Sequence, residues 1–159
     1  MFSRRGDGKS GLIRIRDEQL DAIKRQAEAE YPNECCGLLI GTIEDSGLTR
    51  LIYEIYPVKN SWEAGSQRDR MLIAPLDYAR AELESLKKGL GVVGDYHSHP
   101  DHPAVPSEFD LEHSPWPMMS YIVVSVRDGQ ADELRSWEIA EDRSQFFEEE
   151  IVKGSQECQ

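Results

Sequence analysis

The stretch HSHPDHPAVPSEFD, at residues 97–110, constrains the fold more than any other part of the chain. It contains the end of a run, VVGDYHSH, that predicts a buried strand over residues 92–99. Residues two apart on a strand project from one face, so His97 and His99 are expected to reach one metal ion. The chain must therefore fold so that further ligands meet the end of this strand.

A catalytic zinc site takes three protein ligands and leaves one position for water. The third ligand has four candidates in the same stretch: Asp101, His102, Glu108 and Asp110. Asp101 and His102 lie between two prolines, which steer the backbone into an extended path away from the strand. The segment SEFD is typical of a helix start capped by Ser107 or its neighbour, and such a helix could return Asp110 to the histidines. Composition alone ranks Asp110 only slightly above Glu108.

Hydrolysis at such a site also requires a general base for the bound water. The chain has no HExxH motif, so the base must come from another segment. Glu34 directly precedes the apolar run CCGLLIG, at the mouth of a predicted buried strand. A raised pKa and a fixed orientation are expected for a carboxylate there. Position alone makes Glu34 a candidate among 30 acidic residues.

Hydrophobic periodicity predicts an α/β (α+β) domain, in which a mixed β-sheet is flanked by two main helices. The first helix should begin with Asp17 as its N-cap and end at Tyr31-Pro32. The second should run from Pro75 to Lys88, with Gly89 after it and an apolar side made of Leu76, Ala79, Leu83 and Leu86. Strands are predicted over residues 12–15, 36–41, 50–58, 70–74, 92–99, 121–126 and 133–139, the last two joined by a turn at Asp128-Gly129.

The 159 residues suit one domain, predicted over residues 11–152, with disordered polar tails at residues 1–10 and 153–159. A net charge of −12 argues against nucleic acid and anionic membranes as partners. The sequence shows neither a signal-peptide core nor a stretch long enough to span a membrane. The adjacent Cys35 and Cys36 are expected to be buried, reduced thiols, which favours a cytoplasmic location.

Together, these motifs resemble the JAMM metalloprotease family, the catalytic MPN-plus domains. The resemblance rests on Glu34 before CGLLIG, on HSHP and PSEFD, and on the later run SYIVVSV, and it covers about residues 12–140. It fits best the small bacterial stand-alone peptidases that act on ubiquitin-like sulfur carriers. The fold it implies is an MPN/JAMM domain of the cytidine-deaminase-like class.

Residue by residue, the resemblance implies one zinc ion per chain on His97, His99 and Asp110, with water as the fourth ligand. It implies that Glu34 accepts the proton of this water and later passes it to the leaving amine. Ser107 would donate a hydrogen bond to the oxyanion. The implied activity is hydrolysis of an amide bond at the C-terminus of a ubiquitin-like sulfur-carrier protein.

Several alternatives stay open at this point. The chain could be a non-catalytic MPN scaffold, or a zinc hydrolase of small amides, and a homodimer is compatible with the resemblance. Asp95 shares a strand face with the histidines, where it is either a partner of one of them or a solvent-facing acid. Trp62, Trp116 and Trp137 are expected in the core or in a dimer contact, although residues 116–119 could instead hold a substrate tail.

Overall fold

The computed structural model describes residues 11–114 and 116–154. Its helices are α1 (Asp17–Glu30), α2 (Pro75–Leu86) and α3 (Glu108–His113). Its strands are β1 (Leu12–Ile15), β2 (Cys36–Glu44), β3 (Thr49–Val58), β4 (Gly91–Pro100), β5 (Ser120–Arg127), β6 (Gln130–Ile139) and β7 (Phe146–Lys153). Within the described part of the chain, none of the helices has the length and apolar character needed to cross a membrane.

The strands form one mixed sheet that closes into a barrel in the order β1-β3-β2-β4-β5-β6-β7. Parallel pairs join β1 to β3, β1 to β7 and β4 to β5, and the other neighbours are antiparallel. The predicted fold class, a mixed sheet with helices packed on it, is confirmed. Closure of the sheet was not predicted, because strand order depends on pairing between distant segments.

Helices α1 and α2 cover opposite faces of the sheet. Ile23 and Ala27 of α1 pack in one buried cluster with Leu39 of β2. Ala81 of α2 packs in another cluster, with Leu38 and Ile40 of the same strand. Because neighbouring residues of a strand point to opposite faces, the continuous apolar run in β2 supplies both clusters.

The predicted helices are both present, with corrected ends. Arg16, and not Asp17, is the N-cap of α1, and the Gln19 side chain accepts a hydrogen bond from the Arg16 amide at 3.0 Å. Helix α2 ends at Leu86, two residues earlier than predicted. The turn at residues 128–129 joins β5 to β6 as expected.

The predicted apolar side of α2 faces outwards. Leu76, Leu83 and Leu86 are 59%, 63% and 64% exposed, whereas Ala81 and Ser85 are buried. These two small side chains form the side of the helix that packs against the sheet. The spacing of the leucines therefore identified a helix correctly but assigned the wrong face to the core.

Two predictions about strands were wrong. Residues 70–74 form no strand, because the Asn60 side chain and the Ser61 amide take up backbone groups in this region. Strand β7, in the glutamate-rich segment FFEEEIVK, was missed. It includes Lys153, the first residue of the predicted C-terminal tail. The other residues of the predicted tails, apart from Gly154, are residues 1–10 and 155–159, and these lie outside the described residues.

A buried ionic cluster links strands across the barrel. The Arg50 guanidinium of β3 forms ion pairs with Glu138 of β6 and Glu149 of β7, and all three side chains are almost fully buried. It also donates to the Ser120 hydroxyl of β5 at 3.0 Å and to the Gly47 carbonyl at 2.7 Å. One guanidinium therefore pairs with two buried carboxylates, and without it these groups would be strongly destabilising.

Candidate metal centre and adjoining cavity

A β-bulge determines which side chains of β4 share a face. Leu39 of β2 pairs with Gly94 of β4, and Ile40 pairs with Val92, which leaves Val93 as an extra residue. A bulge of this kind re-aims the residues that follow it. Beyond the bulge, Asp95, His97 and His99 point to the same face of the sheet as Val92. This is the face that α2 covers.

The structure brings together three of the predicted ligands on this face. The Nε2 atoms of His97 and His99 lie 3.1 Å apart, and they lie 3.2 and 3.1 Å from the Asp110 Oδ2 atom. Tetrahedral zinc with bonds of about 2.0–2.1 Å would place such atoms about 3.3 Å apart. Two imidazoles and one carboxylate at these distances therefore fit a zinc ion, and both histidines are buried.

The other candidates in the stretch lie away from this group. Asp101, His102 and Glu108 are exposed. Asp101 instead accepts hydrogen bonds from the Tyr31 hydroxyl at 2.6 Å and from the Asp128 amide at 2.9 Å. It therefore ties the loop after β4 to the end of α1 and to the turn between β5 and β6.

Helix α3 holds Asp110 in place through its N-terminal cap. The Ser107 hydroxyl accepts a hydrogen bond from the Asp110 amide at 3.1 Å, and the Asp110 Oδ2 atom accepts one from the Ser107 amide at 2.8 Å. This reciprocal arrangement is a capping box, in which an aspartate replaces the more usual glutamate. The Ser107 oxygen acts as an acceptor in this box, and no acceptor for its O–H group is found among the described residues.

Hydrogen bonds and charge orient the two histidines differently. The His99 Nδ1 atom lies 2.9 Å from the Pro103 carbonyl, so it carries the proton and leaves Nε2 free to bind a metal. The His97 Nδ1 atom is buried and has no hydrogen-bond partner among the described residues. Burial opposes a charge on His97, but the neighbouring Asp110 carboxylate raises the His97 pKa to about 9. The Asp110 pKa is lowered well below its usual range by the histidines, against the effect of its burial.

Glu34 reaches the same face through strand pairing. Cys36 pairs with His97, and Cys35 bonds to Ser98 through its amide and carbonyl, so the antiparallel register sets Glu34 opposite His99. Glu34 is 3% exposed, and its Oε1 atom has no hydrogen-bond partner among the described residues. Burial raises its pKa to about 8, although the nearby His97 lowers it in part. A buried, unpaired carboxylate next to metal ligands is suited to exchange a proton.

An irregular segment, residues 59–74, forms the wall of the site; we call it the wall segment. The Asn60 amide donates 3.0 Å hydrogen bonds to the Glu34 and Arg70 carbonyls, and its oxygen accepts from the Trp62 amide at 3.0 Å. Trp62 packs edge-on against Phe109 of α3, with ring centroids 5.3 Å apart. The wall segment therefore supports both the glutamate and the helix that carries Asp110, and sequence patterns gave no sign of this role.

A cavity of about 360 Å³ adjoins the ligand group, and its lining includes His97 and Asp110. Its walls are largely apolar and aromatic, and they include Ile73, Tyr78, Trp116, Tyr121 and Phe146. Asp95 also lines it and is 4% exposed, with the Tyr78 hydroxyl 3.4 Å from its Oδ2 atom. Burial raises the Asp95 pKa to about 7. Asp95 is thus no solvent-facing acid.

The described cysteines and tryptophans differ in burial. Cys35 and Cys36 are buried and free, as predicted, while Cys158 lies outside the described residues. Trp137 is fully buried and donates to the Ala104 carbonyl at 3.1 Å, so it belongs to the core. Trp116 is 46% exposed at the cavity.

Comparison of the sequence with protein families gives one match that spans most of the chain. The sequence model described as prokaryotic homologs of the JAB domain matches residues 16–140. The matched range includes all five candidate site residues.

Three curated relatives differ in how much of their length the chain covers. The tail tip assembly protein K of Escherichia phage N15 is 32% identical over 115 residues, 72% of this chain but 42% of the phage protein. The desampylase of Haloferax volcanii is 30% identical over 132 residues, 79% of this chain and 90% of that protein. The CysO-cysteine peptidase of Mycobacterium tuberculosis is 29% identical over 137 residues, 82% and 84% of the two chains.

Solved structures show the same fold. The solution structure of a protein from Salinibacter ruber has 39% sequence identity and a TM-score of 0.71, covering 92% of this chain and 94% of the other. The crystal structure of a JAB1/MPN domain protein from Archaeoglobus fulgidus has a TM-score of 0.52 over 88% of this chain and 99% of the other. At 20% identity, the second likeness shows the fold alone.

Proposed function

The chain belongs to the prokaryotic JAB-domain family, as the sequence resemblance predicted, and on this premise we propose that it is a zinc-dependent peptidase. Its substrate in this proposal is an amide bond at the C-terminus of a ubiquitin-like sulfur-carrier protein. The observation that carries the proposal is the triangle of two histidine nitrogens and one carboxylate oxygen, with a buried glutamate opposite one of the histidines.

The donor set supports zinc as the metal. Imidazole nitrogen and carboxylate oxygen are both common zinc ligands, and three of them leave one coordination position for water. Bound by His97, His99 and Asp110, zinc would supply a water molecule of lowered pKa and would polarise the substrate carbonyl.

Glu34 acts as the proton carrier in this mechanism. A cation at the three ligands would lower the Glu34 pKa, so that its carboxylate is available to accept a proton at neutral pH. The buried side chain holds this proton in an environment from which bulk water is largely excluded, and then donates it to the leaving amine. Its backbone is fixed during these steps by hydrogen bonds to Asn60 and Gln67.

Ser107 stabilises the charge that develops on the carbonyl oxygen. Its oxygen accepts from the Asp110 amide, and its O–H group, for which no acceptor is found among the described residues, would donate to the oxyanion. Removal of one such donor in other enzymes slows catalysis by a factor of about 100 to 1,000. In this proposal the same side chain caps α3 and stabilises the transition state.

The relatives support the substrate class. Two of them carry the names desampylase and CysO-cysteine peptidase, and this chain covers 90% and 84% of those proteins. The phage relative is more than twice the length that the chain matches, so its assembly role is not carried over.

The proposal is tested with purified protein loaded with zinc. The expected content is one zinc per chain, and the protein should cleave a sulfur carrier that is extended beyond its terminal Gly-Gly, as measured by intact mass. A chelator should abolish cleavage, and added zinc should restore it. Glu34→Gln should keep zinc and lose turnover, and retained turnover in this variant would exclude Glu34 as the base.

A matched pair of variants on α3 separates ligand loss from general damage. Asp110→Asn should lose zinc, whereas Glu112→Gln, at an exposed position of the same helix, should keep both zinc and activity. A folded protein that binds no zinc and cleaves no carrier would favour the scaffold alternative. Equal activity on a short peptide and on the folded carrier would favour a hydrolase of small amides.

A further inference from the structure

The cavity beside the metal ligands contains one charged group that the proposed mechanism does not use. Asp95 lies two residues before His97 on the same strand face and lines the cavity together with His97 and Asp110. The remaining walls are mainly apolar, with Tyr78, Tyr121 and Phe146 among them. A small number of polar groups in an apolar pocket is the usual arrangement for selecting a ligand.

The Asp95 carboxylate is poorly satisfied by its own chain. Its one recorded hydrogen-bond partner among the described residues is the Tyr78 hydroxyl, at a long 3.4 Å. No lysine or arginine in the described part of the chain forms an ion pair with it, in contrast to the buried carboxylates that pair with Arg50. Buried carboxylates are normally paired, so this one is suited to a positive group that comes with a ligand.

We propose that this cavity is a specificity subsite that accepts a lysine or arginine side chain next to the scissile amide, with Asp95 as the residue that selects the cation. The inference rests on the proposed peptidase function. It adds to the proposed substrate class the identity of the residue next to the scissile amide. The carbon stem of the substrate residue lies against the aromatic walls, and its ammonium or guanidinium group meets the carboxylate.

The dimensions of the strand agree with this assignment. Two residues of a strand span about 6–7 Å, so Asp95 lies one side-chain length from the metal ligands along β4. Lysine carries its charge on a flexible four-carbon stem, which bridges such a distance while its methylene groups stay in apolar surroundings. A volume of about 360 Å³ accommodates one large side chain without rearrangement of the walls.

A competing role for Asp95 is to orient His97, whose Nδ1 atom has no partner among the described residues. That role would affect every substrate alike, because the metal ligands serve each of them. Selection of a cation instead predicts an effect that depends on the substrate residue. The two roles are therefore separated by a ratio of rates and not by activity alone.

The test uses zinc-loaded protein and four forms of one carrier, extended beyond Gly-Gly by lysine, arginine, methionine or glutamate. The kcat/KM value for the lysine and arginine forms should exceed that for the methionine form at least about tenfold, with the glutamate form slowest. In Asp95→Asn, the ratio of the kcat/KM value for the lysine form to that for the methionine form should fall to near one. The matched control Asp132→Asn, which removes one exposed charge from β6, should leave the ratio unchanged.

Binding gives a second measurement that does not require turnover. In the Glu34→Gln background, calorimetry should show tighter binding of the lysine form than of the methionine form, and the added Asp95→Asn change should remove the difference. Equal kcat/KM values for the four forms in the unaltered protein would overturn the subsite while leaving the peptidase function in place. An equal loss for all forms in Asp95→Asn would assign Asp95 to His97 instead. If no form is cleaved, the peptidase function fails, and the binding comparison alone decides the subsite.

Discussion

Replacing Glu34 by Gln should stabilise the metal-free protein, by an amount that grows with pH. The side chain is 3% exposed, its Oε1 atom has no hydrogen-bond partner among the described residues, and burial raises its pKa from 4.5 to about 8. Because the folded-state pKa is the raised one, the folded protein binds a proton that the unfolded chain releases above pH 4.5. The stabilising contribution of this proton is complete below pH 4.5 and is lost as the pH rises towards 8.

The size of the effect follows from the two pKa values. One pKa unit corresponds to about 1.4 kcal/mol, so the ionisable group destabilises the folded state by about 2 kcal/mol at pH 6 and about 4 kcal/mol at pH 8. Glutamine has nearly the shape of the protonated acid and does not ionise. The variant should therefore match the unaltered protein near pH 4.5 and exceed its free energy of unfolding by these amounts at higher pH.

Urea unfolding in the presence of a chelator, at several pH values between 4.5 and 8, measures the difference directly. Comparing the two proteins at each pH removes the effects of all other titrating groups to a first approximation. Glu112→Gln, the same substitution at an exposed position, serves as the matched control measured in parallel. A difference for Glu34→Gln that is constant from pH 4.5 to 8 would refute the reasoning, since it would mean that the carboxyl titrates alike in both states.

Three further predictions concern the support of the site and of the barrel. Arg50→Met leaves two buried carboxylates without their cation and should lower the free energy of unfolding by about 3–5 kcal/mol in urea titrations, and a loss below about 1 kcal/mol would contradict the ionic cluster. Gly37→Ala places a methyl group on the Tyr96 ring and should cost about 1–3 kcal/mol, seen as a lower Tm, while an unchanged Tm would show that the ring moves freely. Asn60→Asp keeps the acceptor oxygen but loses the donor to the Glu34 carbonyl, so kcat should fall about tenfold at unchanged zinc content; loss of zinc instead would indicate a general structural role.

The ligand group was accessible from the sequence because its signals are local. The alternation of a strand places His97 and His99 on one face, and the pattern SEFD indicates a capped helix that could return a carboxylate to them. The choice of Asp110 over Glu108 rested on the family resemblance. Glu34 was a weaker prediction from position alone, since its place opposite His99 depends on pairing between β2 and β4. The catalytic roles of these residues stay predictions until the variants are measured.

Features that depend on contacts between distant segments were not accessible. The cavity is built from the wall segment, α2, β4, α3, β5 and the first residue of β7, and no local pattern connects them. The outward-facing leucines of α2 show the same limit, because periodicity identifies an amphipathic helix without revealing which side the sheet will contact. Residues 70–74 have the composition of a strand, yet hydrogen bonds from Asn60 to their backbone hold them in another conformation. The homodimer that the resemblance allows is not tested by these features.

Closure of the barrel has a consequence for how the protein forms in the cell. Strand β1 lies between β3 and β7, so one of its neighbours is made about 130 residues after it. Arg50 is made 88 residues before Glu138 and 99 residues before Glu149. At synthesis rates of about 5–20 residues per second, the delay between β1 and β7 is roughly 7–30 s. Before β7 is made, the earlier strands present an unpaired sheet edge, and Arg50 lacks its carboxylate partners. The nascent protein is therefore expected to need protection from aggregation until β7 has left the ribosome.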